Sequence, residues 1–221
     1  MRARVADSAG VDTLQYLITV RGNNNVFYNL TFANSPDTTE VIHSAVKVTG
    51  VRNAFINCGF MCSPASANAN KVDLWLSGAD ENLFSHCMIG NGSFDAGDNA
   101  ACHIYIDGTT GNGQNLFENC KTIQQVSTGT AFGCVESGSA TSLNGLIIFD
   151  NCSFYTWQAN AGLTAMASWF IGTKPTTGQI CLHQCGSFGF AEWDSVAGND
   201  RVTSDMPTAA ASAGGGLATH K

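Results

Sequence analysis

The chain has 221 residues, and its 12% charged residues, 24 glycines and 44% apolar residues make a turn-rich composition unlike that of a helical protein. The net charge of -7 excludes a phosphate-tracking surface, because nucleic-acid binders gather Lys and Arg on one face and the ten basic residues here are scattered. No apolar run approaches the ~20 residues that span a bilayer, and Met1-Arg2-Ala3-Arg4-Val5-Ala6-Asp7 lacks a signal-peptide core, so neither a membrane partner nor secretion is expected.

Residues 1–13 carry no period and read as an N-terminal arm or cap. From 14 to 190 the chain repeats a pair of short segments. The first segment alternates with period two and ends in Gly, as in Tyr16-Leu17-Ile18-Thr19-Val20-Arg21-Gly22, Ala45-Val46-Lys47-Val48-Thr49-Gly50, Asp73-Leu74-Trp75-Leu76-Ser77-Gly78 and His103-Ile104-Tyr105-Ile106-Asp107-Gly108. Such alternation predicts a strand with one buried face. The fifth copy, Gly133-Cys134-Val135-Glu136-Ser137-Gly138, places Glu136 inside in strict register, so a bulge or register shift is expected there. The sixth, Ser168-Trp169-Phe170-Ile171-Gly172, is equally loose.

The second segment is more faithful. It reads Asn25-Val26-Phe27-Tyr28-Asn29-Leu30, Asn53-Ala54-Phe55-Ile56-Asn57-Cys58, Asn82-Leu83-Phe84-Ser85-His86-Cys87 and Asn115-Leu116-Phe117-Glu118-Asn119-Cys120, then Ile147-Ile148-Phe149-Asp150-Asn151-Cys152 and Ile180-Cys181-Leu182-His183-Gln184-Cys185. From Leu30 through the five cysteines the intervals are 28, 29, 33, 32 and 33 residues, a solenoid period. Polar turns such as Ser35-Pro36-Asp37 and Gly90-Asn91-Gly92 vary in length between strands, as outward loops of a stacked coil do. Two-helix repeats fail, because the segments are short, β-branched and alternating. Residues 191–221 read as a closing segment followed by an Ala/Gly-rich arm.

Phe27, Phe55, Phe84, Phe117 and Phe149 must be core, yet Asn29, Asn57, His86, Asn119 and Asn151 lie two residues on, on the same face of a flat strand. A bend resolves the conflict. The Phe points inward, the chain turns at Asn, which tolerates left-handed dihedrals, and Cys58, Cys87, Cys120, Cys152 and Cys185 point inward again. Stacked Asn amides can then hydrogen-bond from rung to rung. The cysteines read as reduced core thiols, since Cβ atoms one rung apart are too distant for a disulfide. The four-residue steps Cys58/Cys62 and Cys181/Cys185 lack partners for zinc, so no metal and no cofactor is expected.

These N-x-F-x-N-C motifs over residues 14–190 resemble the right-handed parallel β-helix proteins of the pectate-lyase-like superfamily, which includes polysaccharide lyases, glycoside hydrolases and phage tailspikes. The resemblance implies an all-β solenoid of about six coils, and through the tailspikes a homo-oligomer, with a trimer favoured. It also implies that enzymes on this scaffold carry acids on an outward face.

One outward column comprises Tyr28, Ile56, Ser85, Glu118, Asp150 and His183, which places Glu118, Asp150 and His183 on successive rungs. Carboxylates about 5 Å apart suit retaining glycoside hydrolysis, although any two stacked acids share that spacing. Asp73 beside His103 is a weaker pair. Counting back from each terminal Gly gives a second outward column that contains Trp75, Tyr105 and Trp169. Large aromatics there imply a cover, whether a subunit, the loops 63–71 and 155–167, or a sugar.

Three functional classes follow. The leading expectation is a non-enzymatic virion structural protein of a tailed phage, made in the host cytoplasm and partnered by other capsid or tail proteins. Capsid decoration is preferred to a depolymerising spike because the chain is short and its acids sparse. The alternatives are a polysaccharide lyase or hydrolase using Glu118, Asp150 and His183, and a glycan-binding adhesin-like module using the aromatic column.

Overall fold

The alternating segments wind into a tube with three flat walls. The computed structural model describes residues 16–34, 43–62, 71–95, 102–108, 111–126, 131–158, 166–194 and 201–205. The first sheet holds Tyr16–Val20, His43–Val48, Lys71–Ser77, Cys102–Asp107, Gly133–Ser137, Met166–Gly172 and Phe190–Asp194. The second holds Val26–Tyr28, Ala54–Ile56, Leu83–Ser85, Asn115–Glu118, Leu146–Asp150, Gln179–His183 and Val202–Ser204. The third holds Thr31–Asn34, Gly59–Cys62, Met88–Asp95, Lys121–Val126, Ser153–Gln158 and Gly186–Phe188. Every strand pairs in parallel with its counterpart one rung away, so the chain is a parallel β-solenoid, and no helix occurs among the described residues. Six turns carry all three strands and a seventh carries two, a slightly different coil count from the one expected. The residues assigned to an N-terminal arm, and most of the Ala/Gly-rich arm, lie outside the described residues.

The repeated motif is two strands joined by a corner. Asn29, Asn57, His86, Asn119, Asn151 and Gln184 all take φ between 50° and 55°. Left-handed backbone costs a residue other than Gly about 1 kcal/mol or more, and here the ladder continues through it: Asn57 N–H donates to Ser85 O and Asn119 N–H to Asp150 O, both at 2.9 Å. The amides also pair along the column, with Asn57 Nδ2 donating to Asn29 Oδ1 at 2.6 Å and Asn151 Nδ2 to Asn119 Oδ1 at 2.7 Å. A second left-handed corner, at Asn24, Arg52, Glu81 and Gln114, precedes the motif strand on the first four turns.

Inside the tube, Phe27, Phe55, Phe84, Phe117 and Phe149 stack with centroids 4.4 to 5.0 Å apart and planes within 14° of parallel. The cysteine column packs beside them. Cys87, Cys120, Cys152 and Cys185 each donate a thiol hydrogen bond to the carbonyl of a Phe on a neighbouring rung, at 3.2 to 3.4 Å. All nine cysteines are free, and burial pushes the Cys58 thiol above its ordinary pKa.

A further ladder begins the motif. Asn25, Asn53, Asn82 and Asn115 stack at the entry to the second sheet, and the last three are buried. Asn82 Oδ1 accepts both Asn53 N–H at 2.9 Å and Asn53 Nδ2 at 3.1 Å, and Asn115 Oδ1 does the same for Asn82 at 3.1 and 3.0 Å. Asn115 Nδ2 ends the run on Ala79 O. One side chain thus satisfies the backbone of the rung below and the amide beneath it.

In the first sheet the terminal glycines keep register over the first four turns and lose it at the fifth and sixth. Tyr105 pairs with Glu136 and Glu136 with Ile171, so the outward column runs Thr19, Lys47, Trp75, Tyr105, Glu136, Ile171. The shift expected at the fifth copy is a one-residue offset that sends Val135 inside and keeps Glu136 out. Trp169 is therefore not on the outward column. It is fully buried against Phe149, Phe154 and Trp193, with centroids 5.4, 5.2 and 5.9 Å away. The cause is that at least two successive positions of this strand are buried on the five middle turns, Ala45-Val46, Asp73-Leu74, His103-Ile104, Cys134-Val135 and Trp169-Phe170.

That doubled position also buries charge. Asp73 accepts Cys62 N–H at 2.7 Å and pairs with His103 Nδ1 at 2.6 Å, while Lys71 Nζ donates to Gln124 Oε1 at 2.5 Å and lies 3.9 Å from Asp73 Oδ1. Asp73 and His103 are thus a packed interior pair rather than a solvent-facing acid and base. Burial pushes the His103 pKa down, outweighing the hydrogen bond to Asp73 that raises it.

Two outcomes follow. In urea unfolding, Asn82→Ala should lose about 2 kcal/mol by stranding Asn53 donors, whereas the exposed corner should tolerate Asn57→Gly and lose about 1 kcal/mol with Asn57→Ala. Because the folded pKa of His103 lies below its unfolded value of about 6.5, the unfolded chain takes up a proton first as pH falls. Stability contributed by neutral His103 is present above that value and lost below it. The fall in urea midpoint between pH 7 and pH 5 should therefore be shallower in His103→Gln than in the native chain.

Candidate functional site

Alternation on the second sheet sends the Phe column in and its flanking columns out. Pairing places Tyr28, Ile56, Ser85, Glu118, Asp150 and His183 directly above one another on six rungs. Glu118, Asp150 and His183 are thus brought together as consecutive members of one outward row. The apolar neighbours in the row are Tyr28, 62% exposed at the first rung, and Ile56.

The row is hydrogen-bonded in two groups. Ser85 Oγ donates to Glu118 Oε1 at 2.6 Å and lies 2.9 Å from His86 Nδ1 at the corner. His183 Nδ1 lies 2.7 Å from Asp150 Oδ1, and its Nε2 lies 3.6 Å from Asp205 Oδ2. Asp205 is itself held by the Gln184 N–H, which donates to both carboxylate oxygens at 2.9 and 3.1 Å. His183 and its two carboxylates are about half exposed. The hydrogen bond to Asp150, and then the charge of Asp205, raise the His183 pKa above its ordinary value. An imidazolium held between two carboxylates is a proton donor; Glu118, whose side chain accepts from the Ser85 hydroxyl, is a base or nucleophile by type. Asp205 went unnoticed in the sequence because it follows the last motif copy, where no spacing announces a seventh rung.

The aromatic column of the first sheet is closed rather than open. Trp75 is 7% exposed, Lys47 Nζ sits 3.7 Å from its ring centroid, and Tyr16 and Tyr105 meet it edge-on. Tyr105 is half-buried, and burial pushes its pKa up to about 12. Burial likewise raises Glu136, whose carboxyl interacts with the Cys102 thiol. With Trp169 in the core, it does not join Trp75 and Tyr105 on this face. Most of the segments expected to cover it, 63–71 and 155–167, lies outside the described residues.

Among the described residues no group of three or more His, Cys, Asp or Glu side chains is arranged to hold a metal ion. The carboxylates around His183 address opposite ring nitrogens and do not converge on a common point.

No family model matches the chain, and no solved structure matches it. Among curated proteins it is similar to "Putative pectinesterase 14" of Arabidopsis thaliana, with 26% identity over 144 residues, 62% of this chain. The chain spans 37% of that relative's length. This overturns the expectation of a virion structural protein: the similarity is to a protein named as a pectinesterase, not to a virion component. The expectation failed because the pattern that suggested it, reduced stacked thiols and an Ala/Gly-rich end, follows from coil packing and chain composition. The chain is a parallel β-solenoid of pectate-lyase-like character, weakly similar to a pectinesterase.

Proposed function

We propose that this protein is an enzyme acting on a polysaccharide, with the outward row of the second sheet as its active face. The observation that carries the proposal is the register of Glu118, Asp150 and His183 on consecutive rungs, beside Asp205. The similarity to a pectinesterase supports the choice of a carbohydrate substrate. Adjacent rungs are about 4.8 Å apart, so Glu118 and Asp150 can address one sugar unit together. Glu118 serves as base or nucleophile, and the His183 imidazolium, oriented by Asp150, protonates the departing oxygen. The same pair of roles serves cleavage of a glycosidic bond and hydrolysis of an ester on the sugar.

Purified protein should generate reducing ends, or free an alcohol and leave a carboxyl group on the polymer, when given esterified pectin or a related plant polysaccharide. Glu118→Gln and Asp150→Asn should each lower turnover by about 100-fold or more while leaving the unfolding free energy in urea within about 0.5 kcal/mol of native. His183 is protonated below its raised pKa, so turnover should decline as pH climbs through that value, and His183→Gln should remove this limb. Undiminished turnover in both carboxylate variants would remove this face from the chemistry.

A further inference from the structure

Just around the left-handed corner from the acid row, on the third sheet, the last two turns form an open trough. Its floor is Ser153 and Gly186, which pair with each other, and a Cβ added at Gly186 would meet nothing within 4 Å. One wall is Tyr155 paired with Phe188, 39% and 38% exposed. The opposite wall is the exposed corner amides Asn151 and Gln184. Lys121 closes one end, its Nζ 5.0 Å from the Tyr155 ring centroid, and Trp157 extends the aromatic wall along the strand, over Gly92.

Two large aromatics left partly in water, on a sheet that buries Phe32, Phe60 and Phe154, call for an occupant. We infer that this trough binds two consecutive neutral pyranose units of a polysaccharide running along the solenoid axis, an inference that rests on the proposed polysaccharide reading. Four observations select this occupant. The trough is one same-face residue pair wide, about 7 Å between alternate side chains, which suits a single chain rather than a protein surface. One rung advances the two walls by about 4.8 Å, comparable to one sugar unit, so successive rings meet successive aromatics. The walls differ in kind, with ring faces for the apolar C–H side of a pyranose and amides for its hydroxyl rim. The trough is also continuous with the acid row, since Asp150 and Ser153 lie three residues apart in one rung and His183 and Gly186 in the next. Charge favours a neutral chain: Glu118, Asp150 and Asp205 stand around the corner, Lys121 is the one cation lining the trough among the described residues, and the molecule carries -7 overall.

Affinity electrophoresis of the full chain in hydroxyethylcellulose and in polygalacturonate tests this. The native protein should be retarded by the neutral polymer, to the same extent at low and raised salt. Tyr155→Ala and Phe188→Ala should each weaken retardation by about tenfold, and Gly186→Tyr should do the same by filling the floor, with urea midpoints unchanged. The inference is overturned if the native chain is not retarded, if only polygalacturonate retards it and salt relieves the effect, if Tyr155→Ala with Phe188→Ala binds as the native chain does, or if light scattering shows a dimer that these substitutions dissolve. Glu118→Gln with Asp150→Asn should lose turnover and keep retardation. Turnover retained in that variant, beside retardation lost in the aromatic one, would fell the catalytic reading and leave the trough standing.

Discussion

The structure depends on one constraint: each rung must set its corners directly above those of the rung below, or the parallel ladder fails. Strands three residues long cannot enforce this by backbone pairing alone. The asparagines do. Asn82 Oδ1 caps both the backbone and the side chain of Asn53, and Asn115 Oδ1 does so for Asn82, so the amides form a ladder parallel to the main-chain one. Asn fits this role because its short amide carries both a donor and an acceptor, which lets identical side chains chain together without a free end on any inner rung. The corner at Asn57 and its equivalents favours the same residue for a different reason, tolerance of positive φ, although His86 and Gln184 hold it on two turns.

Once the corners are aligned, the packing inside them repeats. The Phe column stacks nearly parallel because each ring is held at the same place on its rung. Face-to-face rings are less favourable than edge-on ones in isolation, so the stack reflects the ladder spacing imposed on it, and edge-on contacts from Phe32, Phe60 and Phe154 fill in around it. The interior also accepts Lys71, Asp73 and His103. Their burial is tolerable because Gln124 and the Cys62 N–H supply hydrogen bonds, and because His103 gives up its charge.

How much of this could be read in advance varies with what controls each residue. Phe55, Asn57 and Cys58 were legible because stacking constrains volume and backbone conformation at the same place on every turn. Asn53 and Asn82 stood in the same motif but were missed as a buried ladder, since Asn at a segment boundary ordinarily signals a solvated turn. Trp169 was misplaced because register was counted from the terminal glycine; core filling decides it instead, and a doubled inward position put Trp169 inside. The outward row Glu118-Asp150-His183 could be aligned from spacing, but Asp205 could not, because the seventh rung lacks the motif. Task was the least legible property, as the virion reading shows: motif residues report on winding the coil, which is common to proteins of unrelated activity.

Rung spacing itself says little about chemistry, since a solenoid holds any two stacked acids about 4.8 Å apart. The informative feature is how the row differs along its length. At Glu118 the partner is the Ser85 hydroxyl, on a half-buried carboxyl. Two rungs on, His183 is flanked by Asp150 and Asp205, and its proton is held more tightly than in free imidazole. On the proposed reading the row is therefore polarised along the solenoid axis, with the base towards one end and the proton donor towards the other. A polymer lying along that axis meets the two groups in a fixed order, so the direction in which a polysaccharide chain runs across the face determines which of its oxygens lies beside the imidazolium.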